Sequence, residues 1–351
     1  MAITISGSGI TSANIADSAI TSTKIADSAV TSTKITDGTI TTDDILASDV
    51  NSLKSGRKNL IINGGFDVWQ RGTSFSASGE HGADRWWWST ADTISVNKTT
   101  FTEQQNAISI AKSTTTDPCY LAQSVEDVRT AAGKNVTISF YAKADASTTL
   151  KVWGYQIFGS GGSSTVLIPV QTDTLTTTWT KYSFTFALPS VEGKTIGTNS
   201  NLRMSIQYGA DNTWTGTGYL ANVQLELGSV ATDFEHRSYG EELALCQRYF
   251  EIIKPNVLYS PISLGFARTT TNARCDVAYT EKRGSPTISY SNATHFGIYN
   301  GANRTVSAVS TGVPNSRVCQ FDCTTSSLTA KECLRLMVLN VDASISIDAE
   351  L

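Results

Sequence analysis

The chain has few cysteines, few charges and no long apolar run, and each shortage excludes a class of protein. Its six cysteines are spread over 351 residues, too sparsely for a disulfide scaffold. Charged residues make up only 17%, and no segment concentrates Lys and Arg, so a basic surface for nucleic acid or an anionic membrane is missing. No stretch approaches the roughly 18 apolar residues of a membrane-spanning helix. We therefore expect neither nucleic acid nor a membrane as a partner.

The sequence also lacks the short motifs of common active sites. It contains no phosphate-binding loop, zinc-protease helix, nucleophile elbow or dinucleotide fingerprint. Cys319 and Cys323 are close in sequence, but zinc would need two more ligands, so we interpret the cysteines as buried free thiols and expect no metal or cofactor. Glu80, His81 and Asp84 form one cluster of acid and base, which we interpret as an exposed polar loop. We predict that the protein is not an enzyme.

A repeat of five residues dominates residues 1–50. One β-branched aliphatic residue returns at every fifth position among small polar residues, and the segment has no aromatic residue, Pro or Cys. A period of five matches neither the 3.6 residues of a helix nor the two of a strand. So few large apolar residues cannot build a conventional core within one chain. The repeat positions are Ile10, Ile15, Ile20, Ile25, Val30, Ile35, Ile40, Ile45 and Val50.

Two architectures could bury this row of aliphatic residues. One chain could coil into a pentapeptide-repeat β-helix, or three parallel chains could combine their rows in a shared axial core. Some forty residues give few turns for a solenoid, whose repeats need stacked neighbours, so we favour a three-chain stalk that serves as an attachment segment. The unbroken spacing argues against disorder. Residues 51–57 are predicted to be a linker.

Short runs with β-type alternation follow the linker, separated by turn residues. Val136, Ile138 and Phe140 alternate with polar residues, as in a half-buried strand. Short strands at this spacing are typical of an antiparallel sandwich or jelly roll. We therefore predict a mainly β protein with a jelly-roll β-sandwich at 58–236.

One segment, residues 237–254, predicts a helix. Ser238 and Glu241 have the spacing of a capping box, and Pro255 follows the predicted end. An apolar stripe at helical spacing would pack on a sheet or on symmetry-related helices. Further strand patterns predict a smaller C-terminal β domain at 255–351. The residues of the stripe are Tyr239, Leu243, Cys246, Phe250 and Ile253.

Aromatic residues are the strongest candidates for contact with a ligand. Three tryptophans are consecutive, so in a strand either Trp87 or the pair Trp86 and Trp88 points away from the core. Exposed flat rings can stack on the faces of sugars, while core packing and a trimer interface are the alternatives. Our candidate carbohydrate-binding residues are Trp86, Trp88, Trp153, Tyr155 and Trp214.

Several of these stretches resemble, in order, segments of phage tail-fibre and related virion fibre proteins. The jelly-roll part is carried by "NLIINGGFDVWQRG", "ADRWWW", "ISFYAKA", "YSFTF" and "YLANVQLELGSVATDFEHRSYGEELALCQRYFE", and the C-terminal part by "KRGSPTISY" and "DAEL". The resemblance covers roughly residues 58–351, and the repeats look like stalk repeats of such proteins. It implies a virion-attached homotrimer that binds a receptor or decorates the particle, without enzymatic activity.

The predicted jelly roll is also similar to carbohydrate-binding modules. These often begin with a turn like Asn63-Gly64-Gly65-Phe66 and close on a strand like "YLANVQLELG". Many such modules hold structural calcium with an Asp near the closing strand. The corresponding stretch here is Leu220-Ala221-Asn222-Val223, which has no Asp, so we leave calcium out of the prediction.

The leading hypothesis is a trimeric tail fibre that binds host-surface glycans multivalently, because several weak sites on one rigid assembly raise avidity. The N-terminal segment would join it to other virion proteins. The alternative is a capsid-decorating head fibre or cement protein anchored through the same segment. A polysaccharide-degrading tailspike is less favoured, because it would need a long parallel β-helix and a groove lined by carboxylates.

Overall fold

The computed structural model of the chain describes residues 57–76, 79, 81–89, 93–102, 105–209 and 214–351. The predicted stalk, with its repeat positions from Ile10 to Val50, lies outside the described residues. Most of the predicted linker and Glu80 lie outside them as well. No helix in the described part of the chain is both long and apolar enough to cross a membrane.

The first part of the fold is an antiparallel β-sandwich. A six-stranded sheet has the order β1-β3-β4-β11-β6-β9, and a five-stranded sheet has the order β2-β5-β10-β7-β8. The strands are β1 (Ser74–Phe75), β2 (Trp87–Ser89), β3 (Ile94–Thr102), β4 (Gln105–Lys112), β5 (Cys119–Glu126), β6 (Asn135–Ala144), β7 (Thr148–Ile157), β8 (Val166–Leu175), β9 (Thr180–Ala187), β10 (Asn201–Tyr208) and β11 (Gly216–Leu227).

The core of the sandwich follows from period-two alternation in its strands. Val136, Ile138 and Phe140 on β6 are buried, and they pack in one hydrophobic cluster with inward residues of the other sheet such as Leu202 and Ile206 on β10. Side chains that alternate with these residues point to the outer faces. The predicted mainly β class and jelly-roll-like sandwich are confirmed.

The chain then forms α1 (Tyr239–Gln247) and two more antiparallel sheets. A three-stranded sheet has the order β12-β21-β15, and a seven-stranded sheet has the order β17-β16-β20-β13-β14-β19-β18. A second hydrophobic cluster lies between them. The strands are β12 (Phe250–Ile253), β13 (Pro261–Ala267), β14 (Asn272–Ala278), β15 (Thr287–Tyr290), β16 (Phe296–Tyr299), β17 (Asn303–Thr305), β18 (Ala308–Thr311), β19 (Val318–Thr324), β20 (Cys333–Val338) and β21 (Ile345–Asp348).

The predicted helix over 237–254 is wrong in its second half. Ser238 caps α1 as expected, its Oγ accepting from the Glu241 backbone N–H at 3.3 Å, but the helix ends at Gln247. The following residues form β12, which pairs antiparallel with β21. β-branched and aromatic residues favour a strand when a partner is available, and this partner lies far along the chain. Tyr239 is 59% exposed, so the predicted apolar stripe does not form.

The cysteines are free thiols throughout. Five of them are buried, several within the second hydrophobic cluster. Cys333 is exposed, so the interpretation as buried thiols fails at this one position. Its place at the start of β20, where the strand's burial alternates, leaves its side chain on the outer side of the sheet.

The turn at Asn63 ties the start of the sandwich to its closing strand. The Asn63 side chain donates to the carbonyls of Val68 and Asp84 and accepts from the Val68 N–H, at 2.8–3.0 Å. A Cβ at Gly64 would lie 2.1 Å from the Val223 carbonyl oxygen, closer than any side chain can approach. The Asn-Gly pair therefore holds the start of the sandwich against its closing strand and bonds the backbone at Asp84, two residues before Trp86.

Candidate functional site

Three of the predicted sugar-binding tryptophans are core residues. Trp86 is 1% exposed, Trp88 0% and Trp214 7%. The Trp86 ring packs on Phe66 with centroids 5.3 Å apart, and its indole N–H donates to the Asn63 carbonyl at 2.9 Å. A buried indole whose polar group is already satisfied has no free face for a sugar. The prediction that these three tryptophans contact a ligand is wrong, because the sandwich uses them for packing.

Of the three consecutive tryptophans, Trp87 is the one whose ring points away from the core. In β2 this residue lies opposite Ala122 of β5, while both neighbouring indoles point inward. Trp87 is only partly buried. Alternation in a strand left open whether the single ring or the pair points outward, and the structure selects Trp87.

A row of rings crosses the outer surface of the five-stranded sheet, which we call the five-strand face. Trp87 meets Tyr120 edge-on with centroids 5.8 Å apart, and Tyr120 meets Trp153 edge-on at 5.2 Å. Tyr155 follows on the same side of β7, because side chains two apart in a strand share a face. The predicted residues Trp153 and Tyr155 therefore lie on one face with Trp87 and Tyr120, which the prediction did not include.

Small side chains beneath the rings allow this row to form. Ser205 on β10 lies opposite both Ala122 and Trp153, between the strands that carry Tyr120 and Trp153. Ala122 and Ser205 are outward-facing positions, yet they are 0% and 1% exposed. The large rings span the gap above them and cover the intervening strand. Trp153 is itself only 9% exposed, so Trp87, Tyr120 and Tyr155 offer most of the accessible ring surface.

A positive charge borders one side of the ring row. The Arg203 guanidinium carbon lies 4.9 Å from the centre of the Trp87 ring, and its Nε donates to Ser124 Oγ at 3.4 Å. Burial lowers the pKa of Arg203, and the nearby Tyr120 and Tyr155 act in the opposite direction. Arginine still stays charged, and no carboxylate among the described residues pairs with it. Its planar set of donors is available to hydroxyl groups of a ligand beside the rings.

Amide and amine groups border the other side. Gln207 on β10 lies opposite Tyr120 and Lys151 in the two neighbouring strands, but it is only 6% exposed and its Nε2 already donates to the Gly209 carbonyl at 3.2 Å. The five-strand face thus combines flat apolar rings with flanking polar groups. Such an arrangement suits a ligand that has both an apolar face and many hydroxyls. The residues named in these rows include no carboxylate that could serve as a general acid or base.

In the predicted polar loop, Asp84 is buried and His81 is partly buried. The Asp84 carboxylate accepts from the Gln70 backbone N–H at 3.1 Å and from the Gln70 side chain, and burial raises its pKa to about 6. His81 Nε2 lies 3.9 Å from Glu350, which also pairs with Arg85. Burial disfavours the charged imidazole and therefore lowers the pKa of His81. Arg71 and Glu350 link these groups inside the fold, so the interpretation as an exposed loop is wrong for Asp84.

In the described part of the chain, no group of three or more His, Cys, Asp or Glu side chains could hold a metal ion. The expectation that the protein binds neither metal nor cofactor stays a prediction.

Residues 58–213, less than half of the chain, match the sequence model of a family described as "Carbohydrate binding domain". No curated protein matches the chain. The resemblance to carbohydrate-binding modules is thus confirmed for this segment, which carries every residue of the five-strand face named above. The resemblance to virion fibre proteins stays a prediction.

Several solved structures are also similar to the chain. One is described as "CBM4 structure and function"; it is 19% identical, and the match covers 47% of this chain and 98% of that one, with a TM-score of 0.33. A family 11 carbohydrate-binding module from Clostridium thermocellum, in complex with a β-1,3-1,4-mixed-linked tetrasaccharide, is 14% identical over 46% and 98%, with a TM-score of 0.31. The enzymatically active domain of tailspike protein 4 from bacteriophage CBA120 is 14% identical over 48% and 21%, with a TM-score of 0.32.

Proposed function

We propose that this protein is a bacteriophage virion fibre protein that binds host-surface glycans through the five-strand face, without catalysis. The observation that carries the binding site is the row formed by Trp87, Tyr120 and Trp153, with Arg203 beside it. The family match of residues 58–213 supports a carbohydrate as the ligand. The tail-fibre role rests on the ordered sequence resemblance described above.

Binding on such a surface needs no chemical step. Sugar rings stack on the exposed aromatic faces, which removes apolar surface from water, while Arg203 donates hydrogen bonds to hydroxyl groups at the edge. One such site is weak. In the proposed homotrimer, attached to other virion proteins through residues 1–50, several copies would engage one host surface together and raise the avidity.

The binding site is tested by ring deletion in the full chain. Glycan-array binding first identifies a ligand, and its affinity is then measured by calorimetry for the Trp87→Ala and Tyr120→Ala variants. We expect each variant to lose about tenfold in affinity, because stacking on one ring contributes about 1–1.5 kcal/mol. Thermal unfolding of the variants should stay cooperative, since neither ring belongs to the buried core.

Tyr239→Ala is the matched control, because this exposed ring lies on α1 and not on a strand of the five-stranded sheet. Its affinity should equal that of the wild type. If Trp87→Ala and Tyr120→Ala bind the same ligand as well as this control does, the five-strand face is not the binding site.

The trimer is tested by light scattering of the full chain and of a variant without residues 1–50. The proposal predicts a mass three times the 37.6 kDa of one chain, and weaker assembly once the repeat residues are removed. A monomer in both cases would contradict the three-chain stalk, while the proposed sugar site would stand independently.

A further inference from the structure

A second group of rings lies on the outer surface of the six-stranded sheet, which we call the six-strand face. Phe101 contacts Tyr141 with centroids 5.0 Å apart and Trp179 at 4.8 Å, and Trp179 contacts Tyr219 at 6.2 Å. All four rings are partly exposed. The sandwich core is already filled by inward side chains of the same strands, such as Phe140. Core packing therefore does not explain why four aromatic residues lie on this side.

Strand register brings two of these rings, Tyr141 and Tyr219, onto one surface. Tyr219 on β11 lies opposite Lys143 on β6, and Tyr141 lies opposite Lys181 on β9. The Lys143 ammonium lies 4.7 Å from the centre of the Tyr219 ring and 5.4 Å from that of Trp179. A cation held over two rings keeps its hydrogen-bond donors beside them.

A cleft of about 350 Å³ adjoins the rings. Beside it, β11 bulges between Ala221 and Gln224, where Asn222 adopts a φ of 51°. In the segment after β11, Phe234 packs edge-on against His236 with centroids 4.9 Å apart. Amide, amine and imidazole groups share its wall with aromatic side chains. Its lining includes Phe101, Gln105, Tyr141, Lys181, Asn222 and His236.

The charges around the six-strand face nearly balance. Lys181 Nζ lies 4.0 Å from the exposed carboxylate of Asp233. Lys143 has a counterpart in the exposed Asp145, which lies close enough to Tyr219 to help burial raise the pKa of that phenol. Donors and acceptors are thus both present without an excess of either charge. This chemistry fits a ligand that is uncharged and rich in hydroxyl groups, rather than an acidic one.

We propose that the six-strand face is a second carbohydrate-binding site, which takes an uncharged hexopyranose chain. It rests on its own rings and cleft, so it does not depend on the five-strand face being a site. Because the two faces lie on opposite sheets of one sandwich, a single chain could hold two glycan strands at once.

Fluorine NMR of full-length protein labelled with 5-fluorotryptophan tests both faces separately. The chain has seven tryptophans. The resonance that disappears in Trp179→Phe belongs to Trp179, and the one that disappears in Trp87→Phe belongs to Trp87. The probes are maltohexaose, cellohexaose and mannohexaose. We expect at least one of them to shift the Trp179 resonance in a saturable way. The shift should persist in Trp87→Ala and Tyr239→Ala, and Tyr219→Ala should weaken it at least tenfold.

Three results would overturn the second site. A Trp179 resonance that none of the three probes moves rules it out, whatever the Trp87 resonance does. A Trp179 shift that vanishes in Trp87→Ala means that it reports on the five-strand face. A shift that follows protein concentration instead of probe concentration identifies the surface as a contact between copies of the chain. The Trp87 resonance reports on the first site in the same spectra, so the two proposals fail separately.

Discussion

At the scale of single residues, Asp84 shows how burial alters a carboxyl group. Its side chain is fully buried, and Arg71 lies 3.8 Å away. Burial outweighs the hydrogen bonds from Gln70 and the charge of Arg71, so the pKa rises from the ordinary 3.8 to about 6. Between these values the folded state keeps a proton that the unfolded chain releases. The free energy of unfolding therefore falls as the pH rises through this window.

Asp84→Asn should remove this contribution. Between pH 4 and pH 7 we expect the wild type to lose up to about 3 kcal/mol more of its unfolding free energy than the variant does, since one pKa unit corresponds to about 1.4 kcal/mol. Urea unfolding at both pH values measures the difference. Asp233→Asn, at an exposed carboxylate, is the control and should follow the wild type. Identical pH dependence in the wild type and Asp84→Asn would contradict the raised pKa.

The ring row shows which site residues a sequence can reveal. Alternation correctly limited the tryptophan run to two choices, but it cannot tell which side of a strand faces the core. The sequence offers Trp153 and Tyr155 as candidates only because both are aromatic residues of one strand pattern. Tyr120 and Arg203 join them only through pairing with strands distant in sequence, and no local pattern carries that information.

At the scale of elements, β7 depends on a glycine between two residues of the five-strand face. A Cβ at Gly154 would lie 2.5 Å from the Arg203 carbonyl oxygen and 2.7 Å from Met204 Sδ. Either β7 or its neighbour β10 would have to move to accommodate it. Trp153 and Tyr155 flank this glycine, so the same movement would displace their rings.

Gly154→Ala should therefore lower the free energy of unfolding by about 1–3 kcal/mol, the usual cost of overpacking, and should also weaken glycan binding. Thermal unfolding and calorimetry measure the two effects. Gly240→Ala is the matched control, because a Cβ there meets nothing within 4 Å and Ala favours a helix over Gly. If Gly154→Ala unfolds at the wild-type temperature, the close approach of β7 and β10 does not restrict this position.

The type of an element could be predicted where it depends on neighbouring residues. The prediction failed where the element depends on pairing with a strand distant in sequence. The Ser238 cap and the alternating strands of the sandwich follow from neighbouring residues. Phe250–Ile253 became a strand because β21 supplies its hydrogen-bond partners. In the sequence, Phe250 and Ile253 continue the helical spacing of the preceding apolar residues. Nothing local indicates that a strand would form there instead.

At the scale of the whole molecule, buried charges tie the sandwich to the sheets that follow it. Residues 56–351 form one compact unit. The Arg85 guanidinium carbon lies 3.5 Å from the centre of the Tyr249 ring, and that of Arg71 lies 3.4 Å from the centre of the Phe250 ring. Glu350, just after β21, accepts from both arginines. No local pattern predicts this cluster, because Arg71 and Arg85, Tyr249 and Phe250, and Glu350 lie far apart in the sequence.

Glu350 is the acidic partner in this cluster. Burial alone would raise its pKa, but the charges of Arg85, His81 and Arg71 outweigh burial and lower it below the ordinary 4.5. Its contribution to stability is therefore present above that ordinary value, and it is lost as the pH falls through the lowered pKa of the folded state. At neutral pH the ionised Glu350 therefore makes its full contribution to the free energy of unfolding.

Glu350→Gln keeps the shape of the side chain but removes its charge, leaving the 2%-exposed Arg85 without its counter-ion. Breaking one partner of a buried pair costs about 3–5 kcal/mol, so urea unfolding at pH 7 should show a loss of that order. Glu281→Gln is the control, because its pair with Arg317 is exposed and such pairs contribute about 1 kcal/mol or less. Equal losses in the two variants would mean that apolar packing, rather than the buried charges, joins the two parts of the fold.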